Sequence, residues 1–125
     1  MQKSILITGC SSGIGLDCAE TLHAMGWKVF ASCRKQADCD RLEAMGLTSP
    51  RLDHADAASI HDTIEQVTQA TGGTLDAVFN NGAFAVPGAV QDLPTDALRA
   101  IYETNVFGYH EVIRQVLPIM RAQGH

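Results

Sequence analysis

Residues 6–15, Leu-Ile-Thr-Gly-Cys-Ser-Ser-Gly-Ile-Gly, run from an apolar strand straight into a glycine-rich turn and then a helix. Glycines fall at 9, 13 and 15, a G-x3-G-x-G spacing rather than the more common G-x-G-x-x-G. A turn of this kind brings backbone N–H groups towards an anion at the positive end of the helix dipole. Glycine does three jobs there: it turns tightly, lets the backbone approach a pyrophosphate, and lets helix pack closely on strand. Gly9, Gly13 and Gly15 stand where those jobs fall, and Ser11 and Ser12 add small hydroxyl donors. A glycine turn serving packing alone is the plain alternative; a surrounding βαβ context favours a phosphate seat.

That context is present. Short apolar runs alternate with amphipathic segments, the signature of βα units and a parallel sheet. Strands are expected at Ser4–Thr8, Lys28–Cys33, Pro50–Asp53 and Leu75–Asn80, with helices over Ile14–Met25 and Ala37–Met45. Asp56 is placed to cap a further helix whose apolar stripe is Ile60, Ile64, Val67 and Ala70, stopped by Gly72-Gly73. From Thr95 a long helical region reaches about Gln123, and Pro118 inside it is expected to kink or weaken it. The fold class is therefore α/β, a Rossmann-type doubly wound parallel sheet truncated after about four strands and the long helix. In the strand order 3-2-1-4-5-6 a fifth strand should follow that helix. The sequence stops instead at Gly124-His125, so residues 1–125 read as an incomplete dinucleotide-binding domain with no internal boundary.

Composition narrows the function classes. Of 125 residues, 46% are hydrophobic and 18% charged, which is ordinary for a globular domain and excludes a disordered chain. A net charge of −5 offers no electrostatic case for nucleic acid or anionic lipid. The run Ile5-Leu6-Ile7 is far too short for a signal or membrane segment. Cys10, Cys18, Cys33 and Cys39 form no C-x-x-C pair and no zinc spacing, and no H-x-x-x-H pair exists. No metal is expected, and reduced thiols fit a cytoplasmic protein.

The end of the second strand bears on which cofactor the turn would hold. An NAD-preferring site usually places a carboxylate there, to accept hydrogen bonds from the ribose hydroxyls. This chain has Ala31-Ser32-Cys33-Arg34-Lys35. A carboxylate would repel a 2′-phosphate, whereas Arg34 can bind one with charge-assisted bonds. NADP(H) is therefore expected over NAD(H), with a solvated pair of cations as the plain alternative.

Thr8-Gly9-Cys10-Ser11-Ser12-Gly13-Ile14-Gly15, taken with Asn80-Asn81-Gly82-Ala83 and Asn105-Val106-Phe107-Gly108, resembles the short-chain dehydrogenase/reductase family over essentially the whole chain. The first block matches that family's T-G-x3-G-x-G cofactor turn. The resemblance implies that Asp53 accepts from the adenine amino group. It implies that Asn80 and Asn81 brace the sheet and line the adenosine side of the cofactor. The second block departs from the family's N-N-A-G, because Gly82 and Ala83 stand in reversed order; this bears on the backbone contacts of Gly82. Asn105 matches the family asparagine that bends the helix and binds, through its main-chain carbonyl, a water in the catalytic proton relay. It is the one residue of the catalytic set that can be placed.

The family's reaction also needs a serine and a Tyr-x-x-x-Lys pair, in which lysine lowers the tyrosine pKa. Here Tyr102 is followed four places on by Val106, and Tyr109 by Ile113. The expectation is the N-terminal part of an oxidoreductase acting on a carbonyl or secondary alcohol, not competent as this segment alone. The alternatives are a non-catalytic nucleotide-binding or interaction module, and a structural piece that pairs its open edge with another chain. Val106, Phe107, Val112, Ile113, Val116, Leu117 and Ile119 give the last helix more apolar surface than these strands can cover. The resemblance implies a homo-oligomer packing through that helix. The substrate is not legible in these residues.

Overall fold

A computed structural model describes residues 1–125. The order is β1 (Ser4–Ile7), α1 (Gly13–Ala24), β2 (Lys28–Ala31), α2 (Gln36–Ala44), α3 (Ala57–Thr71) and β3 (Ala77–Phe79). A short 3-10 turn at Val90–Asp92 leads to α4 (Thr95–Tyr102), a π-helical segment Glu103–Gly108, and α5 (Tyr109–Gln123). The strands form one parallel three-stranded sheet in the order β2-β1-β3. Ile5 pairs with Val29 on one side and Ala77 on the other.

β1 is central and covered on both faces, so all of its residues are buried and it reads as an unbroken apolar run. Successive side chains point to opposite faces. Ile5 and Ile7 pack with Ala19, Val29, Cys39 and Leu42 beneath α1 and α2. Leu6 and Phe30 pack with Ile60, Ile64, Val67, Val112 and Val116 of α3 and α5. The N-terminus of α3 is capped as the sequence suggests: the Asp56 carboxylate accepts from Ala58 N at 3.1 Å and Ser59 N at 3.3 Å. Gly72 ends it in the left-handed region at φ +72°.

The strand expected at Pro50–Asp53 is not one. The chain there makes isolated parallel bridges instead of a ladder, Phe30 of β2 with Thr48 and Cys33 beyond β2 with Arg51. Pro50 has no N–H to give a ladder, and the Ser49 hydroxyl takes up the Ala31 carbonyl at 2.6 Å. The chain still runs beside β2, on the side where a third strand was expected. Cysteine behaves as a small core residue: Cys10, Cys33 and Cys39 are buried, and burial pushes the Cys33 thiol up to about 11.

The long helical region is one rod in three parts. Pro118 does not end it; the helix continues to Gln123. Pro118 lies on the exposed side, where a carbonyl freed by the missing N–H can meet water. Gln123 ties the far end of the rod to the sheet, donating to Leu75 O at 2.6 Å and accepting from Leu75 N at 2.9 Å. Of the apolar residues on the rod, Val112 and Val116 are in the core, while Val106, Phe107, Ile113 and Leu117 are exposed. No helix is long and apolar enough to cross a membrane.

Candidate functional site

Parallel strands all point the same way, so the loops at their C-terminal ends converge and form a crevice where ligands of this architecture bind. Here that crevice is a cleft of about 280 Å³. The turn after β1 supplies Thr8, Gly9, Ser11 and Ser12, the end of β2 supplies Arg34, and the crossover segment supplies Leu52, Asp53 and His54. The loop after β3 adds Asn81, Gly82, Ala83 and Phe84, and Thr104 of the π-helical segment closes one side.

Each turn glycine answers a different constraint. Gly9 has φ +69°, and a Cβ on it would lie 2.5 Å from Gly82 Cα. A Cβ on Gly15 would collide with the Gly9 carbonyl and lie 2.7 Å from Asn81 Nδ2. Those two positions are closed by protein. Gly13, at φ +61°, faces open space, so only its backbone conformation demands glycine. Ser12 caps α1 without a side-chain hydrogen bond, and no acidic residue sits in the first turn. The N–H groups of Gly13, Ile14 and Gly15 find no backbone acceptor. Arg41 steadies the turn from outside, donating from Nη2 to Ser11 O at 2.6 Å. The result is a set of free donors at a positive helix end, chemistry that suits a phosphate.

Thr8 joins this turn to the loop after β3. It is 1% exposed, and its Oγ1 accepts from Asn81 N at 3.0 Å and Gly82 N at 2.9 Å. Asn81 returns the contact through Nδ2, which donates to Thr8 O and Gly9 O, each at 3.2 Å. Asn81 thus acts as a brace under the turn as well as part of the cleft wall. Behind it lies His54, 6% exposed, with Nδ1 3.0 Å from Gly82 O. A carbonyl can only accept, so Nδ1 carries the proton. His54 also meets the edge of Tyr109, ring centroids 4.9 Å apart. Burial lowers its pKa, outweighing the Gly82 hydrogen bond and the Asn80 and Asp53 contributions that favour the cation. The remaining nitrogen, Nε2, and the buried Oδ1 of Asn80 have no hydrogen-bond partner.

Two charged side chains frame the opening. Arg34 is exposed and forms no ion pair, which leaves its guanidinium free for an anion. Asp53 is half-buried; its Oδ1 accepts from Ala55 N at 2.9 Å, which fixes the carboxylate in a local turn.

Asn105 sits in the π-helical segment, a feature that often marks functional positions. Its Nδ2 donates to Phe84 O at 2.8 Å and its Oδ1 accepts from Phe84 N at 3.2 Å. An asparagine mid-helix competes with the backbone; here it uses that capacity on another segment and clasps the loop after β3.

Of the residues expected from sequence, Thr8, Gly9, Ser11, Ser12, Arg34, Asp53, Asn81 and Gly82 come together around one cleft. Gly13, Ile14, Gly15, Asn80 and Asn105 are not on its lining. Gly15 lies buried beneath the turn, and the Ile14 side chain is exposed at the head of α1. Asn80 lies on a separate apolar groove with Val78, Ile113 and Leu117. Sequence reasoning missed His54 and Thr104 as site residues. The signal for His54 was its place directly after Asp53, at the end of a segment expected to reach the cleft.

The family model for short chain dehydrogenases matches residues 3–125. The uncharacterized oxidoreductase YbbO of Escherichia coli K12 is 37% identical over 124 residues, covering 99% of this chain and 46% of YbbO. The chain thus spans about half the length of the curated relatives it matches. A gluconate 5-dehydrogenase from Burkholderia cenocepacia, solved with NADP and tartrate, superposes with a TM-score of 0.82 at 25% identity, over 100% of this chain and 51% of that one. A short chain dehydrogenase/reductase from Burkholderia phymatum, solved with NAD, gives 0.87 at 25% identity, over 99% and 46%.

Proposed function

The chain belongs to the short-chain dehydrogenase family, and on that premise we propose that it is the cofactor-binding part of an NADP(H)-preferring oxidoreductase. The reaction proposed is hydride transfer between nicotinamide and a carbonyl or secondary alcohol. The observation that carries the cofactor preference is Arg34, a guanidinium with no protein partner at the mouth of the glycine-turn cleft.

The residues divide the work by chemistry. The free N–H groups at the head of α1, with Ser11 and Ser12, would hold the pyrophosphate. Arg34 would bind the 2′-phosphate through charge-assisted bonds of about 1.5–3 kcal/mol, a preference of about ten- to a hundredfold. Asp53 would accept from the adenine amino group, and Asn80, Asn81 and Gly82 would form the adenosine side. When bound, the nicotinamide supplies or accepts the hydride. Asn105, its side chain occupied by Phe84, leaves its main-chain carbonyl as the group proposed to hold a proton-relay water.

Tyr102 and Tyr109 have no lysine four residues on, so the segment by itself is proposed to bind cofactor without completing the reaction. Homo-oligomer formation through the exposed Phe107 side of the helical rod belongs to the same proposal, as does a reducing, cytoplasmic setting for four free thiols. The related structures solved with NADP and with NAD support a nicotinamide cofactor as the class. The test is cofactor oxidation by the full-length protein against a panel of ketones and aldehydes. NADPH-dependent turnover is expected, together with a Tyr-x-x-x-Lys in the coding sequence after His125. Absence of both would overturn the proposal.

A further inference from the structure

The reversed order Gly82-Ala83 and the buried His54 occur at one point of the structure, and each accounts for the other. A Cβ at position 82 would lie 3.3 Å from both Cε1 and Nδ1 of the imidazole and 3.2 Å from Gly9 N. Glycine at 82 therefore leaves room for the ring, and the ring in turn holds the Gly82 carbonyl through Nδ1–H at 3.0 Å. The ring itself is fixed from behind. A Cβ on Gly108 would lie 2.5 Å from His54 Cβ, so the helical rod packs against this residue at its closest, and Tyr109 meets the ring edge.

We propose that His54 is a positioning residue of the cofactor cleft: it latches the Gly82 carbonyl so that the loop after β3 stays seated against the glycine turn. Three contacts converge on that seat. Thr8 Oγ1 receives the N–H groups of Asn81 and Gly82, Asn81 Nδ2 braces the turn, and His54 holds the carbonyl side of the same residue. The first two use donors of the loop; at Gly82, His54 holds the carbonyl. Asn80 completes the arrangement. Its buried Oδ1 and His54 Nε2 both lack a partner, and a neutral ring protonated on Nδ1 offers a lone pair at Nε2. Turning the Asn80 amide end for end would present its NH₂ in place of the oxygen, which orders Asn80, His54 and Gly82 as one chain of donors and acceptors. The role in cofactor binding rests on the cleft being a nicotinamide-cofactor site; the loop contact does not.

The test uses the full-length protein with two substitutions and two readouts. His54→Val fills the space and removes the donor. His54→Asn keeps an amide N–H near the Nδ1 position while losing the ring against Tyr109. Amide hydrogen exchange at Asn81 and Gly82, measured without cofactor, reports the latch; NADPH titration reports its consequence. His54→Val is expected to speed exchange at both amides and weaken NADPH binding by about fivefold, the effect of one lost hydrogen bond. His54→Asn is expected to restore both towards the original values although the ring packing is gone. Unchanged exchange in His54→Val overturns the latch. Faster exchange with unchanged NADPH affinity overturns the link to the cofactor. Wild-type protein that binds neither NADPH nor NADH overturns the cofactor reading instead, while the exchange data still decide the latch.

Discussion

Asn105 and Phe84 exchange two hydrogen bonds, side-chain amide to backbone amide, at 2.8 and 3.2 Å across 21 residues of sequence. The contact joins the π-helical segment of the rod to the loop after β3, so one residue ties the helix to the cleft wall. Asn105→Ala removes both bonds and leaves the Phe84 backbone to water. A loss of about 1–2 kcal/mol in denaturant unfolding is expected, at the low end because the contact is solvent-accessible. Asn105→Asp keeps the acceptor for Phe84 N and sets a carboxylate against Phe84 O, so it should be no better than alanine. Full stability in Asn105→Asp would show that the clasp does not act through the amide.

Thr8 is the cleanest test of the joint between turn and loop. Thr8→Val preserves shape and removes the acceptor shared by Asn81 N and Gly82 N; Asn81 N keeps the Phe79 carbonyl at 3.0 Å, whereas the part-buried Gly82 N–H is left without a protein acceptor. A cost of about 1–2 kcal/mol is expected from one unsatisfied, part-buried donor, with Thr8→Ser recovering most of it. Equal loss in both variants would contradict the assignment to the hydroxyl, since serine keeps it.

The glycine turn makes a comparative prediction. Gly15→Ala forces a Cβ into the Gly9 carbonyl and the Asn81 amide, both fixed, so it should cost several kcal/mol and loosen the turn. Gly13→Ala meets open space and bears only the left-handed backbone penalty of about 1–2 kcal/mol. Thermal unfolding of the two variants side by side measures the difference; equal losses would contradict the geometry.

His54 gives the fold a pH dependence of definite sign. Burial holds its folded pKa below the ordinary 6.5, so the unfolded chain takes up the proton first as pH falls. Its contribution to stability is complete above about pH 6.5 and is lost as pH drops through the depressed folded value. Asp76 and Glu111, whose carboxyls are held low by their own partners, are present in both proteins and cancel when wild type is compared with a His54 variant. Unfolding curves of wild type and His54→Asn should diverge above this window and converge below it. Parallel curves would mean that the imidazole is not buried in neutral form.

Much of this was legible in the chain. The glycine spacing located the turn, and the unbroken apolar run at Ile5-Leu6-Ile7 marked a strand covered on both faces. The Asp56 cap and the Gly72 stop were both read correctly, because capping is local chemistry. The strand expected at Pro50–Asp53 failed for a reason that alternation cannot show: Pro50 has no ladder donor, and the Ser49 hydroxyl occupies the carbonyl of its neighbour. His54 was hidden because its importance depends on Gly82, 28 residues away, and on the absence of a Cβ there. The clasp of Asn105 on Phe84 is also a long-range fact. Its sequence trace was only that an asparagine in a helix requires some reason.

The central claim is that the cleft seats a 2′-phosphorylated nicotinamide cofactor and that Arg34 selects it. The direct measurement is parallel titration of the full-length protein and its Arg34→Ala variant with NADPH and NADH. The expected result is NADPH binding about ten- to a hundredfold tighter than NADH in the wild type, with that preference gone in the variant and NADH affinity nearly unchanged. Comparable affinity for both cofactors, or an Arg34→Ala loss equal for the two, would contradict it.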